Sequence, residues 1–222
     1  MTLQDKLKQM AINKNALLAT NFYNLETLQG VVKAASKVQQ PIILQLTRSS
    51  IEYMGLKTSV SLGRSILKEY GVEGWIHLDH GDSFSMAEAC LDAGFDSIMI
   101  DGSELPFEDN IAITKKVVRK AELYKAHVEA ELGYVAKLGQ SQNQLQFTQP
   151  EDAKIFVDQT GVHSLAVAIG TAHGFYKEKP NLQFQLLSKI HESVSATLVL
   201  HGSSGVPPYQ LKEAISRGIC KI

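Results

Sequence analysis

The stretch Trp75-Ile76-His77-Leu78-Asp79-His80-Gly81-Asp82-Ser83 decides the fold of this chain. Apolar residues lead directly into an aspartate and a histidine, and a glycine and a helix-start signal follow them. This order predicts a buried strand with polar residues at its carboxyl-terminal tip, followed by a turn and a helix. In parallel α/β sheets, chemistry is carried out at such strand tips.

Two later stretches have the same design. Residues 167–174 read Val-Ala-Ile-Gly-Thr-Ala-His-Gly, and residues 197–205 read Thr-Leu-Val-Leu-His-Gly-Ser-Ser-Gly. Three apolar strands therefore each end in a histidine, namely His80, His173 and His201. In a barrel of parallel strands these tips surround one mouth. Because histidine is the commonest zinc ligand, the three predict a metal site with a fourth position open for substrate.

Strand and helix patterns alternate along the sequence without a linker, a repeat or a low-complexity segment. That rhythm predicts a parallel sheet with right-handed crossovers, and eight units predict a (β/α)8 TIM barrel. A doubly wound sheet has the same rhythm and is the alternative. We expect residues 1–222 to form a single domain whose eighth unit is truncated. The predicted strands span residues 16–20, 41–46, 75–79, 97–101, 126–132, 165–169, 197–200 and 219–222.

Capping residues predict several helix boundaries. Asn24 is expected to cap a helix that runs to about residue 38, and a helix is expected from about residue 57 to Gly71. Two patterns of Ser or Thr followed three residues later by Glu predict capping boxes. These are Ser85 with Glu88, and Thr148 with Glu151.

Composition limits the classes of protein that fit. The chain has 222 residues, of which 44% are hydrophobic and 20% charged, and this suits one domain with a sizeable core. A net charge of −1 gives no basic patch, so nucleic acid is not an expected partner. No apolar run has membrane-spanning length, and the polar start of the chain has no signal-peptide core. Cys90 and Cys220 are interpreted as buried thiols of a cytoplasmic protein.

Carboxylates accompany the histidines at the strand tips. Asp79 directly precedes His80, and beside a bound dication it would stay ionised and could act as a base on a hydroxyl; it could instead orient a ligand. Asp101 and Glu131, at the tips of the fourth and fifth strands, are expected to support a ligand histidine. An alternate metal position is the other interpretation of these two carboxylates. His77 has the same strand parity as Asp79 and is expected inside the barrel.

Small residues follow the sixth and seventh strands. Gly174 and the run Gly202-Ser203-Ser204 allow backbone N–H groups to approach an anion closely. Loops after the last strands of such barrels often bind phosphate. A tight strand-to-helix turn is the alternative, but the neighbouring histidines favour a phosphate site.

With these motifs the chain resembles the class II, zinc-dependent ketose-bisphosphate aldolases over nearly its whole length. The Ala-Ile-Gly-Thr-Ala-His-Gly block is most similar to the tagatose-bisphosphate branch. The matching blocks are residues 21–24, 77–80, 99–103, 128–133, 168–174 and 200–205.

The resemblance implies metal ligands, a catalytic residue, a phosphate site and a reaction for this chain. His80, His173 and His201 would bind Zn²⁺, and Asp79 would be the catalytic acid and base. Gly174, Gly202, Ser203 and Ser204 would hold the phosphate of dihydroxyacetone phosphate. The reaction would be reversible cleavage of a fructose or tagatose 1,6-bisphosphate to that triose phosphate and glyceraldehyde 3-phosphate. The partner would be a sugar phosphate, and we expect a homodimer or homotetramer.

Two departures from the family pattern bear on this interpretation. The predicted lid loop, residues 133–147, has no carboxylate, so a proton for the enediolate would come from Glu131 or Asp79. The sequence also stops before the family's last phosphate loop, so we expect the physiological protein to be longer. Two other classes stay open: a different zinc-dependent barrel enzyme such as a hydrolase, and a non-catalytic sugar-phosphate-binding subunit.

Overall fold

A computed structural model describes residues 1–133, 135, 147–174 and 180–222. Strands and helices alternate along this part of the chain, except that two helices lie between the second and third strands. The strands are β1 (Ala19–Asn21), β2 (Ile42–Leu46), β3 (Gly74–Gly81), β4 (Ser97–Ile100), β5 (His127–Leu132), β6 (Ser164–Val167), β7 (Thr197–Val199) and β8 (Ile219–Lys221). The helices are α1 (Leu3–Ile12), α2 (Leu25–Val38), α3 (Arg48–Met54), α4 (Leu56–Tyr70), α5 (Phe84–Ala93), α6 (Phe107–Glu122), α7 (Pro150–Thr160), α8 (Phe184–Ser193) and α9 (Pro208–Ser216).

The eight strands form one parallel sheet in chain order, and the sheet closes on itself. Each strand is hydrogen-bonded to the next. β8 then pairs with the segment that enters β1: the N–H of Leu17 donates to the carbonyl of Cys220 at 2.8 Å, and the N–H of Ile222 donates to the carbonyl of Leu17 at 3.0 Å. The predicted TIM barrel is therefore confirmed over the doubly wound alternative.

The apolar core lies between the barrel and its outer helices. Outward-facing strand residues such as Leu44 of β2 and Leu78 of β3 are fully buried against helix residues such as Val32 of α2. A smaller cluster closes the amino-terminal end of the barrel, where Leu7 of α1 covers Trp75 and Cys220. Both cysteines are free and buried, as expected. Among the described helices, none is both long and apolar enough to cross a membrane.

The barrel interior is unusually polar. His77 of β3 is buried, as its strand parity predicted, and lies beside Glu129 of β5 and Lys221 of β8. Charged side chains in a protein interior are rare unless they are paired. The barrel interior therefore contains paired polar side chains as well as apolar ones. These polar side chains extend toward the carboxyl-terminal end of the barrel, where the site described in the next section lies.

Two predicted capping boxes are wrong. The amino-terminal cap of α5 is Ser83, whose hydroxyl accepts from the N–H of Met86, and not Ser85. Thr148 does not cap α7, which begins after Gln149 without a side-chain cap among the described residues. The cap at Asn24 is confirmed, with a reciprocal box to Thr27.

Candidate active site

The three predicted histidines meet at the carboxyl-terminal mouth of the barrel. His80 lies within β3, whereas His173 and His201 follow β6 and β7. The ring centroid of His80 lies 5.1 Å from that of His173 and 4.8 Å from that of His201. The ring centroids of His173 and His201 are 5.8 Å apart. Strand tips that are far apart in sequence therefore bring three imidazoles into one cluster.

An irregularity in β3 turns His80 toward this cluster. The pairing register with β4 shifts between Leu78 and Gly81, and His80 has a φ of 49°, in the left-handed region. Successive side chains on a regular strand point to opposite faces, so Asp79 and His80 could not otherwise both reach the mouth. A non-glycine residue in this conformation is uncommon and often marks a functional position.

Two carboxylates orient the histidine rings. His80 Nδ1 lies 2.8 Å from Asp101 Oδ2, and His201 Nε2 lies 2.8 Å from Glu129 Oε1. An ionised carboxylate can only accept, so these ring nitrogens are the donors. The opposite nitrogens, His80 Nε2 and His201 Nδ1, then face each other across 3.2 Å with lone pairs. When both rings are neutral, these two facing acceptors are unfavourable unless a proton or a metal cation lies between them.

His173 and Glu131 complete a set of candidate metal ligands. His173 Nε2 is buried and has no hydrogen-bond partner among the described residues. Glu131 Oε2 lies 3.3 Å from His201 Nδ1 without forming a hydrogen bond. One ligand atom from each of His80, His173, His201 and Glu131 lies within 4.8 Å of all the others. Imidazole nitrogens with a carboxylate oxygen are donors that Zn²⁺ prefers, so these residues fit that ion.

The electrostatics of the cluster also suit a cation. Burial lowers the pKa of His80, but the hydrogen bond to Asp101 and the charges of Asp79 and Glu131 outweigh it and raise that pKa to about 9. Burial raises the pKa of Glu131 to about 7. Burial and the two neighbouring histidines lower the pKa of His173 to about 4. His80 thus binds a proton tightly where no metal competes for it, because carboxylates surround it.

Asp79 lies beside the cluster and is held by an amide. Its side chain is almost buried, and Asn21 Nδ2 donates to Asp79 Oδ2 at 2.7 Å. Gln45 Nε2 in turn lies 3.4 Å from Asn21 Oδ1. Burial would raise the pKa of Asp79, but the charges of His80 and His201 and the bond from Asn21 lower it. Asp79 is therefore an ionised, anchored carboxylate.

A cavity of about 170 Å³ opens over these residues. Asp79 and all three histidines line it, together with the four small residues that the sequence singled out for phosphate: Gly174, Gly202, Ser203 and Ser204. Gly202 has a φ of 65°, and a Cβ there would lie 2.5 Å from the carbonyl oxygen of Ala172. Only glycine lets the loop after β7 approach the loop after β6 this closely.

Sequence reasoning missed four polar residues of the site. Asn21, Gln45 and Lys221 line the cavity, and Glu129 lies beneath it. The alternation on β5 was a usable signal, since Glu129 and Glu131 share a strand parity and both face the interior. Most of the predicted lid loop, residues 134 and 136–146, lies outside the described residues.

Comparison with known proteins identifies the family of the chain. The chain matches the family model of class-II fructose-bisphosphate aldolases over residues 1–222, and it belongs to that family. It is 42% identical over 211 residues to the D-tagatose-1,6-bisphosphate aldolase subunit GatY of Klebsiella oxytoca, covering 93% of this chain and 74% of that protein.

Solved structures show the same fold. The YdjI aldolase of Escherichia coli K12 is 34% identical, with a TM-score of 0.89 over 99% of this chain and 79% of that one. A putative fructose-1,6-bisphosphate aldolase of Coccidioides immitis is 28% identical, with the same TM-score and the same coverage. These relatives indicate that the protein is a lyase.

Proposed function

We propose that this protein is a zinc-dependent aldolase that reversibly cleaves a ketose 1,6-bisphosphate to dihydroxyacetone phosphate and glyceraldehyde 3-phosphate. Tagatose 1,6-bisphosphate is the first substrate to test, because the 42%-identical relative is named for it, and fructose 1,6-bisphosphate is the second. The observation that carries the proposal is the convergence of His80, His173, His201 and Glu131 within 4.8 Å beside Asp79. We expect a homo-oligomer in the cytoplasm.

Asp79 is assigned the proton transfer at the C4 hydroxyl. Asn21 occupies Oδ2, which leaves Oδ1 as an acceptor for the hydroxyl proton. As that proton leaves, the C3–C4 bond breaks, C4 becomes the aldehyde carbon, and the electron pair passes through C3 to the C2 carbonyl oxygen. The triose enediolate then takes a proton at C3, from Asp79 or Glu131, to give dihydroxyacetone phosphate.

The histidines and the small residues have separate tasks. His80, His173 and His201 would hold the zinc ion, with Asp101 and Glu129 fixing two of the rings. When bound, zinc supplies a Lewis acid that stabilises the negative charge developing on the substrate oxygens. The proposed phosphate site is formed by Gly174, Gly202, Ser203 and Ser204, where close backbone approach favours an anion.

A coupled assay tests the proposal. Purified protein is given tagatose or fructose 1,6-bisphosphate, and triose phosphate release is followed with and without a chelator. We expect release that the chelator abolishes and that added zinc restores. His80→Ala, His173→Ala and His201→Ala should lower zinc content and activity together.

The same assay separates the competing classes. A hydrolase would release inorganic phosphate instead of triose phosphate. A non-catalytic subunit would bind the sugar phosphate without turnover. Full zinc occupancy in all three alanine variants would overturn the ligand assignment.

A further inference from the structure

A buried ion pair lies directly beneath the histidine cluster. Lys221 Nζ is 2.7 Å from Glu129 Oε2, and Glu129 Oε1 is 2.8 Å from His201 Nε2. Lys221 and Glu129 are 2% and 0% exposed. Lys221 therefore contacts one oxygen of a carboxylate whose other oxygen contacts a ligand histidine.

Two further polar residues, His77 and Ser97, continue the hydrogen-bond chain from Lys221. Lys221 Nζ lies 3.2 Å from His77 Nε2, and His77 Nδ1 lies 2.7 Å from Ser97 Oγ. An ammonium group can only donate, so His77 Nε2 accepts and its Nδ1 carries the proton. The contacts from Ser97 to Glu129 thus join three strands, β3, β4 and β5, to β8.

We propose that Glu129, paired with Lys221, is the positioning residue for His201. The carboxylate accepts the Nε2 proton, which fixes the tautomer and the ring angle and leaves Nδ1 directed at His80 Nε2. Lys221 neutralises Glu129, so that the positioning carboxylate is not an unpaired buried charge. This inference rests on the proposed metal site.

The energetics favour a positioning role over a stabilising one. A buried ion pair seldom stabilises a fold more than apolar residues of the same shape would, because both charges lose their hydration. Glu129 and Lys221 are therefore poorly explained by stability alone. Charge-assisted hydrogen bonds are shorter and stronger than neutral ones, and this suits a group that must hold a ring at a fixed angle.

Two double variants of the full-length protein test the role. Glu129→Gln with Lys221→Met keeps an acceptor for His201 and buries no charge. Glu129→Leu with Lys221→Met also buries no charge but removes the acceptor. We expect zinc affinity, measured by competition with a chelator, to fall about 10–100-fold further in the leucine variant than in the glutamine variant, at similar melting temperatures.

Further variants separate positioning from folding. Glu129→Gln alone leaves Lys221 without its carboxylate, so it should melt below the glutamine double variant. Ser164→Ala removes buried hydrogen bonds to His127 and Thr197 in the same barrel and should leave zinc affinity unchanged. Equal zinc affinity in the two double variants would overturn the role of Glu129. Failure of the wild-type protein to bind zinc would instead overturn the proposed function.

Discussion

At the residue scale, a variant of Asp79 tests whether this carboxylate acts as a general base or as a support for the metal site. Asp79→Ala should keep its zinc, because Asp79 is not among the candidate ligands, and should lose about 10²–10⁴-fold in turnover, as expected for a general base. Zinc content and steady-state rates measured on one preparation check this. Loss of the metal from the variant would make Asp79 a structural support and would refute the proposed proton transfer.

His77 predicts how stability depends on pH. Burial and the charge of Lys221 lower the pKa of His77 to about 3, against an ordinary value of about 6.5. Between these values the unfolded chain binds a proton that the folded chain does not, so this group makes stability fall as pH drops from 6.5 towards 3. Its contribution to the slope is up to about 1.4 kcal/mol per pH unit.

His77→Gln isolates that contribution. Glutamine has an acceptor for Lys221 and a donor for Ser97, but it does not titrate. Urea unfolding at pH 7, 6 and 5 should show a shallower loss of stability in the variant than in the wild type. His191→Gln, on α8, is the control at a histidine outside the barrel interior. Identical slopes for wild type and His77→Gln would mean that His77 binds protons alike in the folded and the unfolded chain.

At the element scale, Thr148 joins two strands. Its hydroxyl donates to the carbonyl of Leu132, at the end of β5, and accepts from the N–H of Ala168, just after β6, at 2.8 Å. Thr148→Val should cost about 1–3 kcal/mol for each buried backbone group that loses its partner. Thr148→Ser keeps the hydroxyl and should cost much less. Chemical denaturation of the three proteins measures the difference, and equal losses in both variants would refute the bridging role.

The order of strands and helices was predictable because each crossover repeats one pattern of apolar run, polar tip and helix. The histidines were predictable for the same reason, since strand tips of a parallel barrel share one face. Helix α3 was not predicted, because its seven residues are too few to show an apolar period. The wrong caps have different causes: Ser85 lies inside α5, which begins at Phe84, whereas the hydroxyl of Thr148 bonds backbone groups of Leu132 and Ala168.

The buried polar residues beneath the histidine cluster were harder to predict than the histidines themselves. Glu129 acquires its role only when β5, β7 and β8 come together, and nothing local in the sequence pairs it with Lys221. The positive φ of His80 likewise follows from the register shift against β4, which no capping or alternation rule predicts.

At the scale of the whole molecule, metal binding should couple to stability. The candidate ligands come from strands that are distant in the chain, so an ion that binds the folded cluster cannot bind the unfolded chain in the same way. Free zinc at 100 times its dissociation constant should add about 2.7 kcal/mol. For a protein of this size that raises the melting temperature by about 5–10 °C.

Thermal unfolding with and without chelator measures this coupling. His173→Ala is the matched variant, because it removes one ligand from a half-buried position at the mouth and should abolish most of the rise. A wild-type melting temperature that changes with neither zinc nor chelator would contradict the proposed metal site.

Closure of the barrel has a consequence for biosynthesis. The hydrogen bonds between Leu17 and Cys220 join segments separated by nearly the whole described chain, so the ring stays open until β8 has left the ribosome. Until then β1 has an unpaired edge that can associate with other chains, and contacts of such high sequence separation form slowly. His80 is synthesised long before His201, so the nascent chain passes through a period in which the sheet edge is open and the histidine cluster is not assembled.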